Sequence, residues 1–96
     1  MSLLPDVILL NNNDNVVVCM KSMQAGEAIT LHGQLVVLPI TVGIGHKLAS
    51  KNIQQGDIIT KYGVPIGTAT EAIAFGQHVH THNMESNYIA TYLIDN

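Results

Sequence analysis

The 96-residue sequence predicts a single, mainly β domain made of short strands, with one or two short helical turns. Short apolar segments rich in β-branched residues alternate with turn-forming residues along the whole chain. Eight glycines provide many points at which the chain can reverse direction. A chain of this length can bury one modest core, and no linker divides it, so residues 1–96 are expected to form one domain.

An internal repeat is the third observation that indicates this fold. An apolar residue is followed by glycine three positions later and by a β-branched residue after three more: Met23-Gly26-Ile29, Ile53-Gly56-Ile59 and Ile73-Gly76-Val79. Each copy has a small residue four positions before its first member and a polar residue after its glycine: Cys19, Ala49 and Ala69, then Glu27, Asp57 and Gln77. The third copy alone continues into histidines, which indicates where the function lies.

The first half of the chain contains three predicted strands. Residues 7–10 and 16–20 are apolar and β-branched, and the Asn-rich segment 11–15 between them is typical of a turn. Residues 35–40 form the next apolar segment, in which Pro39 marks an edge strand or the end of a strand.

The second half contains further strands and the two helical turns. Residues 58–61, 79–82 and 88–94 are predicted to be strands. Residues 47–51 and 70–74 lead up to the glycines of the repeat and contain Ala with Leu, Lys or Glu, so they are predicted to be single helical turns.

The composition excludes several classes of function. Four scattered lysines against seven acidic residues argue against a nucleic-acid partner. The apolar segments are far shorter than the ~20 residues that cross a bilayer, so no membrane association is expected. A single cysteine and the lack of a signal-like start favour the cytoplasm. With 47% hydrophobic residues, either the core is well filled or another chain covers part of the surface.

The glycine-rich segment 43–47 is the first candidate for chemistry. It places an imidazole, His46, directly before an ammonium group, Lys47, and backbone amides at such a turn can bind a carboxylate. The alternative is an ordinary turn with both side chains in water. The Gly-x-Gly spacing by itself favours that alternative.

The segment 61–67, Lys61-Tyr62-Gly63-Val64-Pro65-Ile66-Gly67, is the second candidate and is predicted to be a loop of one defined shape. The cation of Lys61 beside the phenol hydroxyl of Tyr62 can bind a carboxylate or a polyol. Tyr62 can instead cover the core, and the sequence does not decide between these two interpretations.

The alternating histidines are the third candidate. In an extended strand His78, His80 and His82 share one face, opposite Val79 and Thr81. Val79 aligns with the β-branched core position of the repeat, so the histidines are expected to point away from the core. Two of them, His80 and His82, can hold a divalent ion such as Zn, Fe or Mn, or exchange protons near neutral pH. No second cysteine completes a closed zinc site, and a surface ladder without function is the alternative.

Five short motifs, taken in order, resemble one family. They are Asp14-Asn15-Val16, Gly45-His46-Lys47-Leu48-Ala49, Lys61-Tyr62-Gly63, Ile66-Gly67-Thr68-Ala69-Thr70 and Val79-His80-Thr81-His82-Asn83. Over residues 14–83 the chain is similar to the amino-terminal SAF-type domain of altronate and galactarate dehydratases. This resemblance implies a β-clip (SAF-like) fold of short, twisted strands. The segment 36–44 matches no motif of the family, which leaves the specificity for partner and substrate open.

The resemblance implies a reaction and a set of site residues. Its members eliminate water from a 2-hydroxy acid, or sulfite in the related sulfolactate sulfo-lyase. It implies catalytic roles for three histidines, His46, His80 and His82. It implies substrate-binding roles for a second set: Lys47, Lys61, Tyr62, Asn83, Asp14 and Asn15. A divalent metal (Fe, Mn or Zn) shared with a partner would be held by His80 and His82, and His78 has no clear family role.

The resemblance also implies a larger partner. The sugar-acid dehydratases carry this domain before a much larger catalytic region, and the sulfo-lyase has a similar domain as a separate small subunit. We therefore expect a small subunit or amino-terminal domain of a hydroxy-acid lyase that helps to bind substrate and completes or caps the partner's active site, without activity alone. Two alternatives stay open: a stand-alone module that binds a sugar acid or a metal, and a scaffold that has lost its site.

Overall fold

Nine short strands in three antiparallel sheets form the part of the chain, residues 5–86, that the computed structural model describes. They are β1 (Val7–Ile8), β2 (Val16–Cys19), β3 (Ala28–Leu31), β4 (Gln34–Val37), β5 (Lys47–Ala49), β6 (Ile58–Lys61), β7 (Val64–Ala69), β8 (His78–Val79) and β9 (Met84–Ser86). The sheets have the strand orders β1-β2-β5-β8, β3-β4 and β6-β7-β9. The predicted mainly β class is confirmed.

Both predicted helical turns are wrong, and the described residues contain no helix. The segment 47–51 begins with strand β5, and Ile73, within the segment 70–74, forms an antiparallel bridge with Ile53. The amides of Ala49 and Ile73 donate to the carbonyls of Gln77 and Ile53, which lie far away in sequence. Pairing with distant strands therefore overrides the weak local preference for helix. Among residues 5–86 there is accordingly no helix that could cross a membrane.

The predicted strands are mostly confirmed, with shifted ends. Strands β1, β2 and β6 fall in the predicted segments, and β4 ends two residues before Pro39. The predicted loop 61–67 is wrong: it contains a tight turn at Tyr62-Gly63 followed by strand β7. The predicted strand 88–94 lies outside the described residues.

The internal repeat forms the same turn in each copy. Gly26, Gly56 and Gly76 have φ angles of 90°, 90° and 86°, a left-handed conformation that side-chain-bearing residues rarely adopt. The polar residue after each glycine accepts a hydrogen bond from the backbone amide three residues earlier, in the pairs Gln24–Glu27, Gln54–Asp57 and Ala74–Gln77. This contact explains why a carboxylate or carboxamide recurs at that position.

A fourth copy of the repeat, Val42-Gly45-Leu48, was not recognised from the sequence. Gly45 has a φ of 85°, and the amide of His46 donates to the carbonyl of Gly43, as in the other turns. This copy occupies part of the segment 36–44 that matches no motif. Its residue after the glycine is His46, whose side chain has a different partner from the carboxylates and carboxamide of the other copies.

The four turns pair reciprocally. The amide of each glycine donates to the carbonyl of the residue four positions before another copy: Gly26 to Leu38, Gly45 to Cys19, Gly56 to Ala69 and Gly76 to Ala49. We now number the copies in chain order, so that Val42-Gly45-Leu48 is the second. The first two bonds join copies one and two, and the last two join copies three and four. The chain therefore consists of two similar halves, each with a hairpin inside it, β3-β4 or β6-β7.

The sheet β1-β2-β5-β8 carries a hydrophobic core on each face. The first core consists of Val17, Cys19, Met23, Ile29, Leu31, Leu38, Val42 and Leu48. The second core consists of Val16, Ala49, Ile53, Ile59, Ala69, Ile73 and Val79. Neighbouring residues of β2 and β5 alternate between the two cores, as expected for extended strands. Neither face of this sheet is open to solvent at its centre.

Asp14 fastens the β6-β7 hairpin to the rest of the molecule. Its side chain is 2% exposed, and its carboxylate accepts hydrogen bonds from the amides of Tyr62 (2.7 Å) and Gly63 (2.8 Å). These two residues have φ angles of 59° and 74°, as in a type I′ turn, so their amides point to one side. The contact links the loop after β1 to a hairpin tip 48 residues away.

Asp14→Ala should lower the free energy of unfolding by about 2–3 kcal/mol, because it removes two hydrogen bonds to a charged group that is itself buried. Asp57→Ala is the matched control, since Asp57 also accepts from a backbone amide but is exposed, and it should cost about 1 kcal/mol or less. Urea denaturation followed by circular dichroism measures both. Equal losses would contradict the structural role of Asp14.

Candidate functional site

Four histidines meet where β5 and β8 pair. Leu48 lies opposite His78 in the register, so His46, just before β5, lies across from His80 and diagonal to His78. The ring planes are within 12–26° of parallel. The centroid separations are 5.1 Å for His46–His78, 5.5 Å for His46–His80, 5.4 Å for His78–His80 and 5.6 Å for His78–His82. The structure thus brings the three predicted catalytic histidines together around a fourth.

The burial of His78 corrects the prediction that all three alternating histidines point away from the core. His80 and His82 are exposed, but His78 is only 9% exposed. Val79 lies in the second core, as predicted, so the side chain of His78 faces the opposite side of the sheet. That side is covered by the first core, through Leu48 opposite His78. The sequence pattern did not reveal that the sheet has two covered faces.

A turn, and not the predicted strand 79–82, follows β8. The amide of Asn83 donates to the carbonyl of His80, and the amide of His80 donates to Oδ1 of Asn83 at 2.9 Å. Nδ2 of Asn83 donates to the carbonyl of His78 at 2.8 Å. Asn83, which is 4% exposed, therefore fixes the turn that presents His80 and His82. Its predicted role in substrate binding stays a prediction.

His46 and His78 are hydrogen-bonded to each other. Nδ1 of His46 lies 3.0 Å from Nε2 of His78, and the other ring nitrogen of His78, Nδ1, is buried without a partner among residues 5–86. Burial, followed by the charges of His46, His80, His82 and Lys47, lowers the pKa of His78 to about 4. His78 is therefore a neutral imidazole at physiological pH.

Two lysines extend the group of histidines. Lys47, at the start of β5, is half-buried, and its pKa is lowered by burial and by the positive charge of Lys61 at the end of β6. We call the six side chains His46, Lys47, Lys61, His78, His80 and His82 the basic cluster. Within residues 5–86 neither lysine of the cluster has a carboxylate within ion-pair distance, whereas Lys21 pairs with Asp6 at 2.8 Å. The cluster is thus suited to an anionic ligand.

A cleft of about 210 Å³ borders the basic cluster. Its walls are formed by Pro39, Ile40, Glu71, Gln77, His78, His82 and Asn83. The apolar part of the lining comes from Pro39 and Ile40, and the polar part from Glu71, Gln77, strand β8 and the turn after it. One acidic group, Glu71, is present at its wall. The cleft is open to solvent and gives a small molecule access to His82.

Three predicted substrate-binding residues have structural contacts elsewhere. Asp14 holds the hairpin tip, and Asn15 accepts from the amide of Thr60 and donates to the carbonyl of Ile58, which fixes β6. Tyr62 lies at the hairpin tip and is 70% exposed, so the interpretation that it covers the core is wrong. The roles of these residues in substrate binding stay predictions.

The described residues do not supply a complete metal site. Across residues 5–86, no group of three or more His, Cys, Asp or Glu side chains is arranged to hold a metal ion. Any metal at His80 and His82 would need ligands from elsewhere, and this role stays a prediction.

Comparison with known proteins identifies relatives of two kinds. Residues 5–87 match the family model described as the altronate/galactarate dehydratase SAF domain. The chain is 36% identical over 80 residues to altronate dehydratase of Bacillus subtilis and 42% identical over 74 residues to that of Escherichia coli. These matches cover 83% and 77% of this chain but only 16% and 15% of the dehydratases.

The third relative has a different extent. The alpha subunit of (2R)-sulfolactate sulfo-lyase from Chromohalobacter salexigens is 33% identical over 88 residues, which cover 84% of this chain and 94% of that subunit. The similar region is therefore a small part of one enzyme and nearly the whole of a subunit in another.

His78 should remain neutral as the pH falls and should take up its proton only near its pKa of about 4. An unfolded chain takes up this proton near pH ~6.5, so between these two pH values the unfolded state binds more protons than the folded state. The free energy of unfolding therefore decreases as the pH is lowered through this range. Two-bond proton–nitrogen NMR spectra of the imidazoles measure the titration directly. His78→Gln should show a shallower loss of stability over the same range. A His78 that titrates near ~6.5 would contradict its burial.

Proposed function

The chain belongs to the altronate/galactarate dehydratase SAF-domain family, and on this basis we propose that it is a small subunit or an amino-terminal domain of a hydroxy-acid lyase. In this role it binds the anionic end of a sugar acid or related 2-hydroxy acid and completes the active site of a larger partner. The reaction is the elimination of water or sulfite.

The observation that carries this proposal is the basic cluster. The four histidine rings lie together, and the charges of His46, His80, His82 and Lys47 are close enough to lower the pKa of His78. The charge of Lys61 in turn lowers the pKa of Lys47. Holding like charges together is unfavourable unless a negative group joins them. A carboxylate is such a group, and Lys47 and Lys61 are the ammonium groups that would hold it.

The exposed histidines suit the proton transfers of an elimination. Such a reaction removes a proton next to a carboxylate, stabilises the resulting anion and protonates the leaving group. His80 and His82 are exposed on a turn that Asn83 fixes, so their rings are presented in a defined place and remain reachable. We propose that they exchange these protons.

The size of the cleft supports a site shared with a partner. Ligand pockets commonly measure about 300–1,000 Å³, and the cleft beside the cluster, at about 210 Å³, falls below that range. It is also open to solvent, whereas an anionic intermediate needs preorganised donors shielded from water. We propose that the partner supplies the remaining walls.

A stand-alone module that binds sugar acids is the alternative. The basic cluster forms without any residue from a partner, and this favours the module. The two functions differ in what the chain does alone. The module would bind a sugar acid by itself, whereas the small subunit would act only in a complex. A metal shared with the partner and a cytoplasmic location remain part of the proposal.

His80→Ala and His82→Ala should each lower kcat/KM for elimination by about 100-fold or more in the complex of this chain with its larger partner, because each removes a group that exchanges protons. Both side chains are exposed, so the free energy of unfolding should change by no more than about 0.5 kcal/mol. Steady-state kinetics and urea denaturation measure the two effects. Full activity in both variants, or unfolding of both, would contradict the assignment.

Lys61→Ala should raise KM for the hydroxy acid by about 10-fold or more, because a charge-assisted hydrogen bond to the substrate is worth about 1.5–3 kcal/mol. Lys51→Ala is the matched control, since Lys51 is an exposed lysine outside the basic cluster, and its KM should equal that of the unmodified chain. Unchanged KM in Lys61→Ala would remove this residue from the site.

A further inference from the structure

The hydrogen bond between His46 and His78 determines how the basic cluster can use His46. Nδ1 of His46 and Nε2 of His78 are 3.0 Å apart, and the ring planes differ by 12°. The centroids lie 5.1 Å apart, so the near-parallel rings are displaced sideways and their facing edges carry the two bonded nitrogens. This geometry suits a hydrogen bond between the two nitrogens. One ring supplies the proton of the bond and the other ring accepts it.

The position of that proton follows from the surroundings of His78. A neutral imidazole carries one proton, whereas a charged imidazole carries one on each nitrogen, and the buried Nδ1 of His78 has no acceptor among residues 5–86. A proton on Nδ1 of His78 would be a buried donor without a partner in the described part of the chain, and folded proteins rarely contain such donors. A proton on Nε2 instead lies in the bond to His46. His78 is therefore the donor and Nδ1 of His46 the acceptor.

We propose that His78 is a positioning residue that holds neutral His46 in the tautomer protonated on Nε2, so that His46 donates a hydrogen bond to an anionic oxygen of the substrate and is not the base. This inference rests on the proposed function for the identity of the ligand. The tautomer itself is a property of the chain alone. Nδ1 of His46 is occupied by His78, and Nε2 already carries a proton, so neither nitrogen of the neutral ring is free to accept one.

Gly43 lies beside the edge of His46 that carries the proton. A Cβ atom at Gly43 would lie 3.4 Å from both Cδ2 and Nε2 of His46. Gly43 is not one of the described glycines with a positive φ, so its backbone conformation does not by itself require glycine. The absence of a side chain at this position keeps the Nε2 edge from being crowded. The Gly-x-Gly spacing thus combines a turn glycine, Gly45, with a glycine that leaves room.

The proposed arrangement divides the work among the histidines. A neutral imidazole that donates a hydrogen bond stabilises a developing oxyanion. Unlike a charged imidazolium, it does not readily lose its proton to the solvent. The exposed His80 and His82 are then left for proton exchange. His46 takes the place of the carboxylate or carboxamide of the other repeat copies. Its side chain bonds to His78, whereas theirs accept from the backbone amide three residues earlier.

Imidazole nitrogen NMR of the unmodified chain tests the tautomer directly, because protonated and unprotonated ring nitrogens have distinct chemical shifts. At neutral pH we expect Nε2 of both His46 and His78 to carry the proton. A His46 protonated on Nδ1 overturns the proposal. This experiment needs no variant and no partner.

His78→Phe removes the donor while keeping a ring of similar shape. We expect His46 to lose its fixed tautomer and to show an average of both forms. His80→Phe is the matched control, since His80 lies at a similar centroid distance, 5.5 Å, from His46 without this hydrogen bond, and the tautomer should persist. Persistence of the tautomer in His78→Phe overturns the role of His78. If His78→Phe does not fold, the spectrum of the unmodified chain still decides.

Kinetics of the complex separate a donor from a base. Loss of one such donor lowers kcat about 100-fold, which we expect for His46→Ala. His46→Gln keeps an N–H group near the place of Nε2 and should stay within about 10-fold of the unmodified complex, whereas a base would not be replaced by an amide. Equal loss in both variants overturns the donor role. A complex without elimination activity would refute the proposed function and leave the NMR result as an independent test of the tautomer.

Discussion

The backbone hydrogen bond from the glycine of each repeat copy to the residue four positions before another copy is the constraint on which the rest of this structure depends. These bonds join the copies in pairs, Gly26 with Gly45 and Gly56 with Gly76, and thereby define the two halves of the chain. The bond from Gly76 to Ala49 also brings the two strands of the site together, because it places β8 beside β5. The position of the histidines is therefore a consequence of backbone pairing between turns, and no histidine contact is needed to create it.

The same pairing determines the electrostatics of the site. Because β5 and β8 lie in a sheet with a core on each face, the first histidine of the motif is buried, while those in the turn after β8 are exposed. Burial keeps His78 neutral, and its hydrogen bond is made to His46. The exposed His80 and His82 remain in contact with solvent. Residues of one type, close in sequence, thus acquire different chemistry from their depth. The two lysines add ammonium groups that have no acidic partner among residues 5–86.

Much of the fold could be predicted from spacing and residue type, because turns depend on local chemistry. The recurring glycine and the polar residue after it identified three of the four turns. The fourth was missed because His46 stands where the others have Glu27, Asp57 or Gln77. The helical turns were wrong because propensity is local, while the amide of Ala49 bonds to a strand 28 residues later. The burial of His78 and its bond to His46 join residues 32 apart, and no local pattern encodes such a contact.

The central claim is that the basic cluster completes an active site on a larger partner. It is tested most directly by purifying the tagged chain from its own cells and assaying elimination from hydroxy acids by the chain alone, by the partner alone and by both together. We expect a stoichiometric larger partner and elimination of water or sulfite only when both are present. A chain that purifies alone and binds a sugar acid by itself, or a partner that is fully active without this chain, would contradict this claim.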